Sequence, residues 1–264
     1  DDGSEGIKIY DGVRCVKLAS SGRSGISDRS SVGGDTRKEF SYRNKIGDVY
    51  TVGASVSNAE ATDYSGYQTS TLNQALVQHA LCHYGFANQS LTAVFSLPFS
   101  QFFLRNGQKN ERLIRKKIAH VYDNTFKATD NLNCANFERD SVGVLAEGLA
   151  GVVNRCFDLD DQGSIKQNSN IIEKQIGVVD VGGNTLDLCV VENMEVLHNH
   201  SASKQQSGVL AVIENATKIL ESHPSTRHYF DEEVPLKQIR ESVFNGGKFV
   251  VGAREVNVLP QIKE

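Results

Sequence analysis

The stretch GVVDVGGNTLDLCVV, residues 177–191, limits what this chain can be more than any other segment. Apolar residues lead into Asp180, Gly182-Gly183-Asn184-Thr185 follow, and Leu186, Leu188 and Val190 then alternate with Asp187 and Cys189. Alternation is the period of a strand. A strand, a glycine turn and a second strand make a hairpin. That excludes a dinucleotide fingerprint, which needs G-x-G-x-x-G opening a helix. A P-loop is excluded too, because Gly247-Lys248 is followed by Phe249 and lacks the upstream glycine. A glycine hairpin tip can still bind phosphate, since bare N–H groups form an anion nest that oxygens approach without meeting a Cβ. Asp180 alone would repel phosphate, but it suits a hydrated Mg²⁺ that bridges to one. On this stretch alone, a plain hairpin with an incidental Asp is an equal reading.

A second copy of the layout changes the balance. DDGSEGIK, at residues 1–8, has an acid, then Gly3, Ser4 and Gly6, then a strand, with Lys8 able to reach a phosphate oxygen. Two such hairpins would grip a polyphosphate from both sides, with Asp1 and Asp180 organising a metal between them.

The remaining sequence bounds the class. A chain of 264 residues holds one large domain or two ordinary ones, and 39% hydrophobic residues suit a globular core. The net charge of −4 argues against direct electrostatic binding of DNA. No apolar run reaches the length of a membrane span, so no membrane partner is expected. The cysteines Cys15, Cys82, Cys134, Cys156 and Cys189 are odd in number and form no C-x-x-C, which reads as reduced thiols in a cytoplasm. Both ends look abrupt: the chain opens on Asp1 without Met, and Pro260 could start a helix that is cut off.

Along the chain, residues 7–10 and 14–18 read as strands around the turn Asp11-Gly12, and residues 20–35 as a Ser/Gly-rich loop. Strands are expected at 38–43, 48–53 and 91–99, the last ended by Pro98. Leu72, Leu76, Ala80 and Tyr84 recur at helical spacing before Gly85. A basic helix begins near Asn110, its charges read as a solvated face, and an amphipathic helix follows Ser207-Gly208. Residues 158–170 are the expected domain boundary, between 1–160 and 171–264. His79 and His83 have no third ligand placed to complete a zinc site, His198 and His200 read as strand residues, and Asp187 reads as structural.

DDGSEGIK, QALVQHALCHYGF, TAVFSLPFSQFFLRNGQKNERLIRKK, GVVDVGGNTLDL and SGVLAVIENATKIL occur in this order across residues 1 to 220. Together they resemble the ParM/StbA family of plasmid-segregation actins, within the superfamily of actin, sugar kinases and heat-shock-chaperone ATPases. The resemblance implies an α/β, actin-like fold of two domains with a nucleotide cleft between them, the second incomplete at its C-terminus. It implies ATP or GTP with Mg²⁺, slow hydrolysis, and a head-to-tail filament that moves plasmid DNA through an adaptor protein bound to a centromere-like site in a bacterial cytoplasm. A small-molecule kinase or a non-hydrolysing scaffold on the same fold are the alternatives.

By position, the resemblance puts Asp1 and Asp180 on the metal through water. It puts Gly3, Ser4 and Lys8 on phosphates from one side and Gly182, Gly183, Asn184 and Thr185 from the other, with Gly208 by the sugar. It places the catalytic carboxylate at Asp140, with Glu138 as competitor. The superfamily's third glycine motif has no good match after Gly208, which fits a shortened chain.

Overall fold

The computed structural model describes residues 1–26, 39–122, 126–128, 134–160, 162–222, 224, 227, 239, 242, 246–251 and 254–257. The chain separates into two compact units, Asp1–Lys204 and Gln205–Glu264. The boundary expected at 158–170 therefore falls inside the first unit, where most of that segment folds into a hairpin and a short helix.

In the first unit, β1 (Gly6–Tyr10) and β2 (Cys15–Ala19) pair antiparallel, Gly6 opposite Ala19 and Tyr10 opposite Cys15. Their turn is held by Asp11, whose Oδ1 accepts the N–H groups of Val13 at 2.9 Å and Arg14 at 2.7 Å. β3 (Gly22–Ser24), β4 (Phe40–Arg43) and β5 (Val49–Val52) make an antiparallel sheet in the order β3-β5-β4. Part of the expected 20–35 loop is thus a strand. Gly22 permits it, since a Cβ there would come within 2.8 Å of Val52 Cγ1. Residues 27–35 of that loop lie outside the described residues.

Helix α1 (Thr71–Tyr84) shows why its sequence was readable. Ser70 caps the start, its side chain accepting the Asn73 N–H, and Gly85 ends it at φ 98° with its N–H on Leu81 and Cys82 carbonyls. Its Leu72, Ala75, Leu76, Ala80 and Leu81 enter a core shared with Tyr42, Val52 and Phe95. β6 (Ser90–Leu97) leads through Pro98 into α2 (Phe99–Phe102), then α3 (Glu111–Tyr122). β7 (Lys127–Ala128) extends the first sheet beside β4. β8 (Asn136–Ala146) pairs parallel with β6, with a register shift between Leu91 and Ala93.

On α3, Arg112, Arg115 and Lys116 are exposed as expected, but Lys117 is completely buried. α4 (Leu149–Cys156), the hairpin β9 (Phe157–Leu159) with β10 (Ile165–Gln167), and α5 (Ser169–Ile172) precede β11 (Ile176–Val181) and β12 (Thr185–Glu192). β13 (Glu195–Val196) and β14 (Ala202–Gln205) flank β12. His198 and His200, read as strand residues, form a 3-10 turn instead; the His198 ring packs on Phe103 at 4.8 Å.

The second unit contains α6 (Val209–Ser222), which buries Ile213, Ala216 and Leu220 at helical spacing, and a hairpin of β15 (Lys248–Val251) and β16 (Arg254–Asn257). None of the five cysteines is in a disulfide. Among the described residues no helix is long and apolar enough to cross a membrane.

Candidate nucleotide site

The first unit brings the two glycine hairpins together. At the second tip, the Gly182 N–H donates to the Thr185 carbonyl at 2.9 Å, so Gly183 and Asn184 form the apex. A Cβ on Gly183 would lie 2.7 Å from Glu5 Cβ, 3.1 Å from Ser4 Oγ and 3.2 Å from the Glu5 nitrogen. Glycine at 183 is what allows this approach, because any larger residue would wedge the tips apart. One short segment straps both: Thr62 Oγ1 donates to the Ser4 carbonyl at 2.6 Å, and Asn184 Nδ2 donates to the Asp63 carbonyl at 3.0 Å. The Asn184 side chain, expected on phosphate, is thus used in the strap, which leaves the backbone of the tip to meet an anion.

Asp180 and Asp187 stand directly opposite each other on β11 and β12. Cross-strand partners share a face, and like charges so placed repel. The same face carries Cys189 and Val191, both buried, so the acid pair continues a hydrophobic surface towards the tip. Asp187 is 2% exposed, and neither of its carboxylate oxygens has a hydrogen-bond partner among the described residues. Burial pushes its carboxyl above the usual range, and Asp180 adds to this.

A third acid completes the group. Glu147 follows the last residue of β8, and its N–H donates to the Leu97 carbonyl at the end of β6. Gly148, at φ 82°, turns the chain into α4 against the second hairpin, 3.6 Å from Val178 Cγ1 to the position of a Cβ. Burial first, then the charges of Asp187, Asp180 and Asp2, push the Glu147 carboxyl up to about 8.

The expected catalytic pair lies elsewhere. Asp140, at φ 61°, and Glu138 are exposed and occupy the register shift of β8. Asp140 is six residues before the strand end that carries Glu147, roughly 20 Å along an extended chain. The acid group therefore includes Glu147 and Asp187, neither of which the sequence reading put in a functional role. Asp187 had a signal, since a tip closed by Gly182 and Thr185 puts Asp180 opposite it by register; Glu147 gains its place from the carboxyl end of a parallel strand, where α/β sheets place ligands.

Asp1 accepts the Gly3 N–H at 3.0 Å and Lys8 Nζ at 2.8 Å, so Lys8 is paired with the neighbouring acid. Gly208 stands at the start of α6, in the other unit, its carbonyl accepting the Val212 N–H at 3.4 Å.

Glu147, Asp180 and Asp187 raise one another's cost of ionisation around the two buried Asp187 oxygens, an arrangement that a cation would relieve. Among the described residues no three His, Cys, Asp or Glu come together as a direct metal cage. A hydrated Mg²⁺, which keeps several waters and takes one or two carboxylates, fits this donor set. The apposed glycine tips fit phosphate.

These elements define an actin-like α/β protein. The structure is similar to Ta0583, an archaeal actin homolog, at a TM-score of 0.67 and 18% identity over 98% of this chain and 75% of that one. It is similar to a non-polymerisable quadruple mutant of pCBH ParM at 0.65 and 16% identity, over 99% and 76%. It is also similar to an AlfA filament bound to AMPPNP, at 0.51 and 13%, over 96% and 86%. The family described as plasmid segregation protein ParM, N-terminal, matches residues 1–156, and the chain belongs to that family. None of the curated proteins matches the sequence.

Proposed function

We propose that this protein is an ATPase, of ATP or GTP, that assembles head-to-tail into dynamic filaments and segregates plasmid DNA through a DNA-bound adaptor in a bacterial cytoplasm. The observation that carries this reading is the apposition of the two glycine tips beside Glu147, Asp180 and Asp187. Family membership supports segregation, and the AlfA filament with AMPPNP supports nucleotide and self-assembly on this fold.

In this reading the Gly3 and Gly182 N–H groups stay bonded within their own loops, and the backbone of Ser4-Glu5 and of Gly183-Asn184 receives the phosphates from opposite sides, with Ser4 and Thr185 hydroxyls beside them. Asp1 and Asp180 would hold Mg²⁺ through water, and Lys8, now paired with Asp1, would be the residue to reach a phosphate oxygen. Mg²⁺, when bound, neutralises charge that develops on the phosphates. Glu147 accepts a hydrogen bond from a water and orients it in line with the terminal phosphate. Its ionised form is the useful one, so reduced repulsion from its acidic neighbours favours that role. Gly208 is assigned to the sugar, with domains 1–160 and 171–264 taken as the actin-like halves. Head-to-tail contacts form an interface that does not close and so extends into a filament.

Light scattering, sedimentation and phosphate release with ATP·Mg²⁺ test this. The expected result is a rise in scattering, pelletable polymer, then decay as phosphate appears. A protein that stays monomeric at tens of micromolar with ATP and GTP while phosphorylating a small hydroxyl acceptor would overturn it in favour of a kinase.

A further inference from the structure

The basic helix α3 buries one of its lysines where a solvated charge is the ordinary expectation. Lys117 Nζ donates to the Asp2 carboxylate, to the Gln68 carbonyl at 2.6 Å, and to Gln68 Oε1 and Asn73 Oδ1 at 3.1 Å each. It also lies 5.7 Å from the Phe95 ring centroid. Asp2 is 1% exposed and its Oδ1 has no hydrogen-bond partner among the described residues. The Asp2 carbonyl accepts Asn73 Nδ2 at 3.2 Å and Gln68 Nε2 at 3.4 Å. Side chain and backbone of Asp2 are therefore both tied, by α3, by α1 and by the turn Tyr67–Thr69.

A buried ion pair is a poor device for stability alone, because well-packed apolar groups of the same volume do as well or better. It does fix direction: an ammonium with three N–H donors facing four acceptors allows little latitude for the carboxylate it holds. Asp2 directly precedes the loop Gly3-Ser4-Glu5, whose Ser4 Oγ and Glu5 nitrogen lie beside Gly183 of the second tip. We propose that Lys117 is a positioning residue for the first glycine loop, acting through Asp2 to set where Ser4 and Glu5 stand against the second tip. This rests on the nucleotide reading above. Without the lysine, the Asp2 carboxylate must recruit water or a proton, and either change loosens the loop from its seat.

The test uses Lys117→Met, Asp2→Asn and the double variant, compared with the parent protein. ATP·Mg²⁺ affinity is read by calorimetry, the seat of the loop by hydrogen exchange of amides 3–8, and overall folding by thermal midpoint. The expected result is a loss of roughly 10- to 10²-fold in affinity for Lys117→Met, of the size that a small misplacement causes, with faster exchange at 3–8. The double variant, which removes the stranded charge, is expected to recover part of both. Parent-like affinity and loop exchange in folded Lys117→Met, with only a lower thermal midpoint, would overturn the proposal. If Lys117→Met does not fold, a folded double variant with parent-like affinity and exchange would overturn it as well. A parent protein that binds no ATP·Mg²⁺ would sink the nucleotide reading instead, and exchange at 3–8 would then judge the positioning role by itself.

Discussion

Glu147 and Asp140 show how far a single residue's role depends on where its strand ends. Both are acids on or just after β8, but Asp140 sits exposed in the register shift, while Glu147 lies past the last pair with β6, among Asp180 and Asp187. A general base must reach the water it orients, so geometry ranks before residue type. Glu147→Gln is expected to retain ATP·Mg²⁺ binding and assembly and to lower phosphate release by roughly 10²–10⁴-fold. Asp140→Asn is expected to leave single-turnover phosphate release unchanged. The reverse pattern would return the role to the β8 bulge. From the sequence, the glycines and Asp180 could be read because their spacing is local. Glu147 could not be so read without knowing the end of a parallel strand, which tertiary pairing sets.

Among the elements, the body and end of α1 were legible, since the apolar spacing and Gly85 agree, and the structure adds the Ser70 cap at its start. α3 was legible only as a helix. Its run of Arg and Lys says nothing about which charge turns inward, because Asp2, the partner of Lys117, comes from the start of the chain. The same two helices carry histidines that the fold keeps neutral. Burial, with a smaller push from His83, lowers His79 to about 4; burial, with Lys117 beside it, lowers His120 to about 4. In the unfolded chain both take up protons near pH 6.5. The folded form excludes those protons, so its stability is complete above that value and falls as pH drops from about 6.5 towards 4. Denaturant melts across this range should show the loss. His79→Gln, which cannot titrate, is expected to flatten the slope between pH 6.5 and 5 by close to one proton. An unchanged slope would mean that His79 is charged in the fold.

At the scale of the whole molecule, the actin-like class was readable because the family's stretches stand in a fixed order, and the structural similarity bears that out. Residues 158–170 are polar and turn-rich, and β9 and β10 pair within them, while the two compact units meet after Lys204. Composition marks a turn, and only pairing tells whether a turn separates domains. The strap through Thr62 and Asp63 has a consequence for the order in which the chain becomes native. It joins Ser4 to Asn184, residues at opposite ends of the first unit, so its closure carries the loop entropy of nearly that whole length. Contacts of such long sequence separation form slowly. On a ribosome, hairpin β1-β2 and α1 can be complete long before residue 184 exists. On the function proposed above, the two tips would meet only after the β1-β2 hairpin and α1 have formed. In pulse-labelled refolding, amides at 183–184 and 4–5 are expected to gain protection together and after those of α1, and simultaneous protection of all three would contradict this order.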